Sequence, residues 1–190
     1  MAVLVLLVMT GFVFSALMMA AVIGYLLLNL AYSLRLKQVP VVDIFCIAGG
    51  FVIRAYAGAL AIDVSFSQWM LITTLCLTLY LAAGKRRHEL MANGTSSRKV
   101  LEHYTVHLMD LYAAMAAVGA LVFYGIFTVM HRPQLTVTIP LVIFGMFRYW
   151  FIVEKDTGDD PPTDALVSDI WLIAAILAWV GVSFWALWPR

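Results

Sequence analysis

The sequence predicts an all-α protein, a polytopic transmembrane helix bundle of about six helices forming a single integral membrane domain over residues 1–190. Three observations carry that expectation. Hydrophobic residues make up 64% of the chain and charged residues only 12%, whereas a soluble domain carries about 25% charged residues. Several apolar runs reach the roughly 20 residues that a helix needs to cross the hydrocarbon layer, where no water is present to satisfy backbone groups. No alternating strand pattern competes with them. The net charge of +1, from 12 basic and 11 acidic residues, provides no overall field for recruiting nucleic acid.

Taken in order, spanning helices are expected near Val3–Leu28, Val41–Ile62, Ser67–Gly84, Leu108–Met130, Leu135–Val153 and Ile170–Trp188. The first run lacks a preceding basic stretch and exceeds a signal-peptide core, so it reads as a retained span. Polar connections at Ala31–Pro40, Lys85–His107 and Glu154–Asp169 alternate with short ones at Asp63–Phe66 and His131–Gln134. The polar connections thus share one side. Arg35, Lys37, Lys85, Arg86, Arg87, Arg98, Lys99, Arg148 and Lys155 lie there, against Arg132 and Arg190 on the other. By the positive-inside tendency the polar loops are cytoplasmic and Met1 is outside. An outside start suggests further helices upstream. Trp69, Tyr104, Tyr149, Trp150, Trp185 and Trp188 fall near helix ends, where aromatic rings suit the membrane interface. The stretch from Thr157 to Thr163, rich in Gly, Asp and Pro, reads as a surface turn. Cys46 and Cys76 sit in apolar runs without metal spacing and read as small core residues.

Arg54 is the most informative residue, since an arginine midway through a spanning helix costs about 2.5–3.5 kcal/mol on insertion scales unless it is compensated. Gly50 and Gly58 lie one turn to either side on the same face, where a neighbouring helix or a ligand can come close. Asp43 shares that face but lies roughly 16 Å away along the axis, too far for a direct pair, and suits the cytoplasmic mouth. A buried structural pair is the alternative reading of Arg54. In the first polar connection Tyr32, Arg35 and Lys37 place a phenol and two cations where a lipid phosphate could be held; taken alone, the stretch reads first as snorkelling cations that anchor the helix. The stretch Gly84-Lys-Arg-Arg-His-Glu-Leu90 brings Lys85, Arg86 and Glu89 within one helical turn. Such cations would neutralise a departing diphosphate, with Glu89 orienting them or helping to hold a metal ion; a positive-inside anchor is the alternative. His103, His107 and Asp110 resemble a metal face only superficially, and no metal ligand set is expected from them.

Together Ala31-Tyr-Ser-x-x-Leu-Lys37, Asp43, Gly50-Phe-Val-x-Arg54-Ala-x-Ala-Gly58, Ser67-x-Trp69 and Gly84-Lys-Arg-x-x-Glu-Leu90 resemble, in order and spacing, the UbiA superfamily of prenyl-substrate transferases. The branch they resemble most is that of the decaprenyl-phosphate phosphoribosyltransferases. The likeness runs from about Leu30 to the end, through Phe147-Arg-Tyr149. It implies a nine-helix fold around a lipid-accessible cavity, of which this chain matches the last six helices. It also implies magnesium and a diphosphate substrate. On the matching positions it assigns Lys85, Arg86 and Glu89 to catalysis and Tyr32, Lys37, Asp43 and Arg54 to substrate binding. The first Asp-rich motif of the superfamily, N-D-x-x-D-x-x-x-D, has no counterpart in this sequence, so the expected magnesium site is incomplete in this chain.

The expected reaction is transfer of phosphoribosyl from phosphoribosyl diphosphate to a polyprenyl phosphate, in a bacterial-type cytoplasmic membrane. Lys37 and Arg54 would hold phosphate groups, Lys85 and Arg86 would stabilise the leaving diphosphate, and Tyr32 would orient a substrate oxygen. One alternative is an aromatic prenyltransferase using a prenyl diphosphate; such enzymes carry a second D-x-x-x-D where this chain has Gly84-Lys-Arg-Arg-His-Glu-Leu90. Another is a non-catalytic subunit or transporter-like half-protein that assembles with a second chain supplying the missing helices.

Overall fold

The computed structural model describes residues 16–93, 99–155 and 169–188. Among them six α-helices run in sequence: α1 (Ala16–Leu34), α2 (Val42–Ala61), α3 (Gln68–Asn93), α4 (Val106–His131), α5 (Ile139–Lys155) and α6 (Ile170–Leu187). Short 3-10 turns at Leu36–Gln38, Lys99–His103 and Pro133–Thr138 join some of them. Five of the helices are long and apolar enough to cross a membrane, and the chain is an integral membrane protein.

Most helix bounds lie within two or three residues of the sequence expectation, and three differ. The expected first helix, Val3–Leu28, falls partly outside the described residues, and α1 continues to Leu34, so Tyr32 stands on a helix rather than in a loop. The fifth expected helix begins at Ile139, because Pro133 first opens a 3-10 turn. The largest difference is α3, which runs nine residues past Gly84 and carries the whole charged motif in helical form. Glycine there does not end the helix: beyond it Arg86 and Arg87 find acceptors on neighbouring elements or one turn along. Arg98, Arg190 and the turn expected at Thr157–Thr163 lie outside the described residues.

Helix α3 is central, packing on α2, α4 and α5. Its hydroxyls are satisfied internally: Thr73, Thr74 and Thr78 each donate to a carbonyl four residues back. Along α4, Ala113, Ala116 and Ala120 make a small-residue stripe on which α3 sits closely. Packing of small residues is what holds helices together where lipid removes the hydrophobic drive. A Cβ on Gly119 would stand 3.0 Å from Cys76 Sγ, and one on Gly84 would stand 2.9 Å from the Tyr149 hydroxyl. Tyr80 and Tyr149 meet edge to face at 5.4 Å, and the Tyr80 hydroxyl donates to Met146 O at 2.7 Å. At the other end Tyr124 bonds Thr138 at 2.6 Å and accepts from Trp179 Nε1, tying α4 to α6. By contrast α1 buries none of its residues and, among the described residues, packs chiefly on α2 and the turn after it.

Candidate functional site

Because the helices alternate in direction, the end of α1, the start of α2, the last turns of α3, the start of α4 and the end of α5 gather at one end of the bundle. Nearly all the charge collects there. Two arrangements share the same stripe of α2, formed by Asp43, Cys46, Ile47, Gly50 and Arg54, which recur at helical spacing.

The first centres on Asp43, which is 0% exposed, and Arg86, which is 1% exposed. Arg86 Nε donates to Asp43 Oδ2 at 3.0 Å, and Nη1 pairs with Glu89. The other oxygen, Asp43 Oδ1, accepts from the Tyr104 hydroxyl at 2.6 Å. That hydroxyl in turn accepts from the Val41 backbone N–H at 2.5 Å. Val41 has φ 68° and ψ −44°, a conformation that a β-branched residue adopts only at a cost of about 1–3 kcal/mol. Tyr104 is brought in by the segment after α3, which folds back through a 3-10 turn and buries Val100, Leu101 and Met109 around the ring. Burial first, then the hydrogen bond to Asp43, pushes its phenol well above the usual tyrosine range, so it stays a proton donor.

The second arrangement is a cavity of about 110 Å³ between α1 and α2, lined by Tyr25, Leu28, Asn29, Tyr32, Cys46, Ile47, Gly50 and Arg54. Arg54 Nε donates to Gly50 O at 3.1 Å, and its guanidinium lies over the rings of Phe51 at 4.3 Å and Tyr25 at 5.2 Å. No carboxylate among the described residues pairs with it, and Arg54 is exposed. Gly58, one turn on, faces open space.

The structure therefore brings Tyr32 and Arg54 to one cavity, and Asp43, Arg86 and Glu89 to one ion-pair network beside it. Lys37 and Lys85 are exposed. The run of three cations does not act as one dense patch. Successive helical residues point about 100° apart, and each takes different surroundings. Lys85 faces out, Arg86 turns to α2, and Arg87 turns to α4 and α5. Arg87 donates to Asp110 Oδ1 at 2.7 Å and to Val153 O at 3.2 Å, pairs with Glu154, and faces the Trp150 ring. Asp110 is thus the partner of an arginine rather than part of a histidine metal face. Sequence reading missed Tyr104 and the Arg87 cluster. A consecutive Lys-Arg-Arg on a helix was the one available signal, because three such neighbours cannot share a face.

Magnesium needs oxygen ligands. Among the described residues no three carboxylate, histidine or cysteine side chains converge, and both Asp43 and Glu89 are engaged by Arg86. The described residues do not by themselves make a magnesium site.

No protein-family model matches the chain. It is 33% identical over 172 residues to decaprenyl-phosphate phosphoribosyltransferase of Corynebacterium glutamicum, a match that covers 85% of this chain and 52% of that protein. Against the proteins of the same name from Mycolicibacterium smegmatis and Mycobacterium tuberculosis the identities are 31% and 29%, covering 83% of this chain and 54% of each. The chain thus spans about half the length of the curated relatives it matches. With its apolar helices and motif residues gathered at one end, the chain is a homologue of the decaprenyl-phosphate phosphoribosyltransferases over most of its own length.

Proposed function

We propose that the chain is the part of a membrane transferase that holds a polyprenyl phosphate and a phosphoribosyl diphosphate for transfer of the phosphoribosyl group. One observation carries this reading: a single stripe of α2 joins the Tyr32–Arg54 cavity, between two apolar helices, to the Asp43–Arg86–Glu89 network at the polar end. A substrate that is both lipid and phosphate needs those two surroundings side by side. The names of the relatives supply the substrate class.

In this reading an oxygen of the lipid phosphate attacks the anomeric carbon of the ribose, the bond from that carbon to the diphosphate oxygen breaks, and diphosphate leaves with the electron pair. The protein contributes positioning and charge neutralisation, without a covalent intermediate. Arg86 on the α2 side and Lys85 on the exposed side of the same turn would stabilise the departing diphosphate, Lys37 and Arg54 would hold phosphate groups, and Tyr32 would orient a substrate oxygen. Magnesium would travel on the diphosphate itself, as the described residues offer no carboxylate cage. Polar loops on the cytoplasmic side of a bacterial-type membrane would give the site access to the water-soluble sugar diphosphate.

The test is transfer of label from radioactive phosphoribosyl diphosphate to added decaprenyl phosphate in membranes containing the chain. Lipid-linked label is expected, and Arg86→Ala with Lys85→Ala is expected to remove it. Unchanged turnover in that variant would overturn the assignment.

A second reading is favoured by the exposure of Arg54. A cation midway along a spanning helix, without a carboxylate among the described residues, calls for cover on that face. In this reading a second chain packs on α1 and α2 and the assembly conducts a solute. Solute uptake by vesicles holding this chain, without diphosphate release, would favour it over the transferase.

A further inference from the structure

We propose that the end of α5 carries a headgroup site for an anionic glycerophospholipid, in which Arg148 and Lys155 hold the phosphodiester beside the Phe151 ring. The inference stands apart from the transfer reading and uses none of its residues. Phe144, Phe147, Arg148, Phe151 and Lys155 recur at three- and four-residue spacing and so share one face of α5. The three phenylalanines on that face are exposed, as suits a helix side turned to lipid. The Arg148 guanidinium lies 5.1 Å from the centre of the Phe151 ring and Lys155 Nζ lies 5.9 Å from it. One ring thus gathers two cations. With Ile152 and Asp169 they line an open cavity of about 340 Å³ at the polar end of the bundle.

Both cations are within reach of a ligand. Lys155 is exposed and pairs with no carboxylate among the described residues, since the adjacent Glu154 is taken by Arg87. The Arg148 side chain lines the cavity with 28% of its surface exposed. Asp169 is not a free carboxylate that would repel an anion: it accepts from Arg148 Nε at 3.0 Å and Nη2 at 2.6 Å, and from the Leu172 N–H at 2.8 Å. Two cations against one carboxylate leave a single positive charge in the cavity lining. That balance matches the single negative charge of a phosphodiester better than a phosphate monoester or a diphosphate.

Depth points to the same occupant. The 18 residues of α6 rise about 27 Å, close to the roughly 30 Å of hydrocarbon in a bilayer, so Asp169 and the arginine bound to it stand at the edge of that layer. Lys155 lies seven residues beyond Arg148, about 10 Å further along α5, among the headgroups. A phosphodiester sits between these levels, and the acyl chains below it run along Phe147 and Phe144.

The full chain in an uncharged detergent is titrated by calorimetry with dioctanoyl phosphatidylglycerol, dioctanoyl phosphatidylcholine, inorganic phosphate and farnesyl phosphate. Phosphatidylglycerol is expected to bind about ten-fold more tightly than phosphatidylcholine, and Lys155→Gln to weaken it about five-fold. Lys155→Arg is expected to retain the affinity, and Arg132→Gln, at the opposite end of the bundle, to change nothing. Since Lys155 is exposed and has no carboxylate partner among the described residues, Lys155→Gln should melt with the wild type, which keeps folding out of the comparison. Equal affinity for the two phospholipids, an undiminished preference in Lys155→Gln, or an equal loss in Arg132→Gln overturns the proposal. Tighter binding of inorganic phosphate or farnesyl phosphate than of phosphatidylglycerol also overturns it, because the occupant is then a soluble anion or a prenyl phosphate.

Discussion

Replacing Arg86 by leucine removes the cation from a carboxylate that has no contact with solvent. In the native chain Asp43 is 0% exposed and its Oδ2 accepts from Arg86 Nε at 3.0 Å. Leucine keeps much of the side-chain volume, so the main change is an uncompensated buried charge. Breaking a buried pair in this way costs about 3–5 kcal/mol. The Tyr104 hydroxyl still bonds Oδ1, which favours the lower half of that range. For a protein of this size each kcal/mol moves the melting point by about 2–4 °C. A fall of about 6–15 °C is therefore expected in thermal unfolding of the detergent-solubilised protein, followed by intrinsic tryptophan fluorescence. Adding Asp43→Asn should recover about 1–3 kcal/mol of the loss, because the charge left behind is itself removed. A fall below 2 °C, or strictly additive effects in the double variant, would refute the burial and the pairing together.

Other outcomes follow from the same geometry. Gly84→Ala places a methyl group against the buried Tyr149 ring and should cost about 1–3 kcal/mol, whereas Gly58→Ala, which meets nothing within 4 Å, should leave the melting point unchanged; equal effects would show that α3 and α5 are not in close contact. Tyr80→Phe removes the bond that its hydroxyl gives to Met146 O and should lower stability by about 1 kcal/mol in the same melts. Arg148 holds the Asp169 carboxyl below its ordinary range, so folding gains from this group above the unfolded carboxylate value and loses the gain as pH falls through the lowered one. The acid side of the stability profile should therefore flatten in Asp169→Asn, and an unchanged profile would count against the pair. Tyr104 is shifted upward, so its contribution is complete below the unfolded phenol value near 10 and is lost as pH climbs beyond it. Tyr104→Phe should remove that alkaline loss, as read by melting at pH 9 to 11.

Much of the fold was legible because length and hydropathy are properties of consecutive residues. A run of about 20 apolar residues has one stable solution in hydrocarbon, so the number of helices and the order of their connections could be read directly. The gathering of Tyr32, Asp43, Arg86 and Glu89 toward one end follows from the same alternation. Even the Arg86–Glu89 pair is a local matter of three residues along a helix.

Other features depend on side-chain direction and on which helices touch. That Arg86 meets Asp43, 43 residues away, while its neighbour Arg87 meets Asp110 and Glu154, is decided by the 100° step between helical neighbours and by the packing of α3 against α2 on one side and against α4 and α5 on the other. Helix α3 continues through the charged motif because partners on other helices accept those cations, and no rule based on glycine alone reveals them. Tyr104 looked like an interfacial ring. Only the folding back of its segment onto the start of α2 brings its hydroxyl between Val41 and Asp43. The sequence by itself determined the membrane, the helices and the end at which charge collects; the tertiary structure decided which charges meet, since pairing across helices depends on packing that no local spacing encodes.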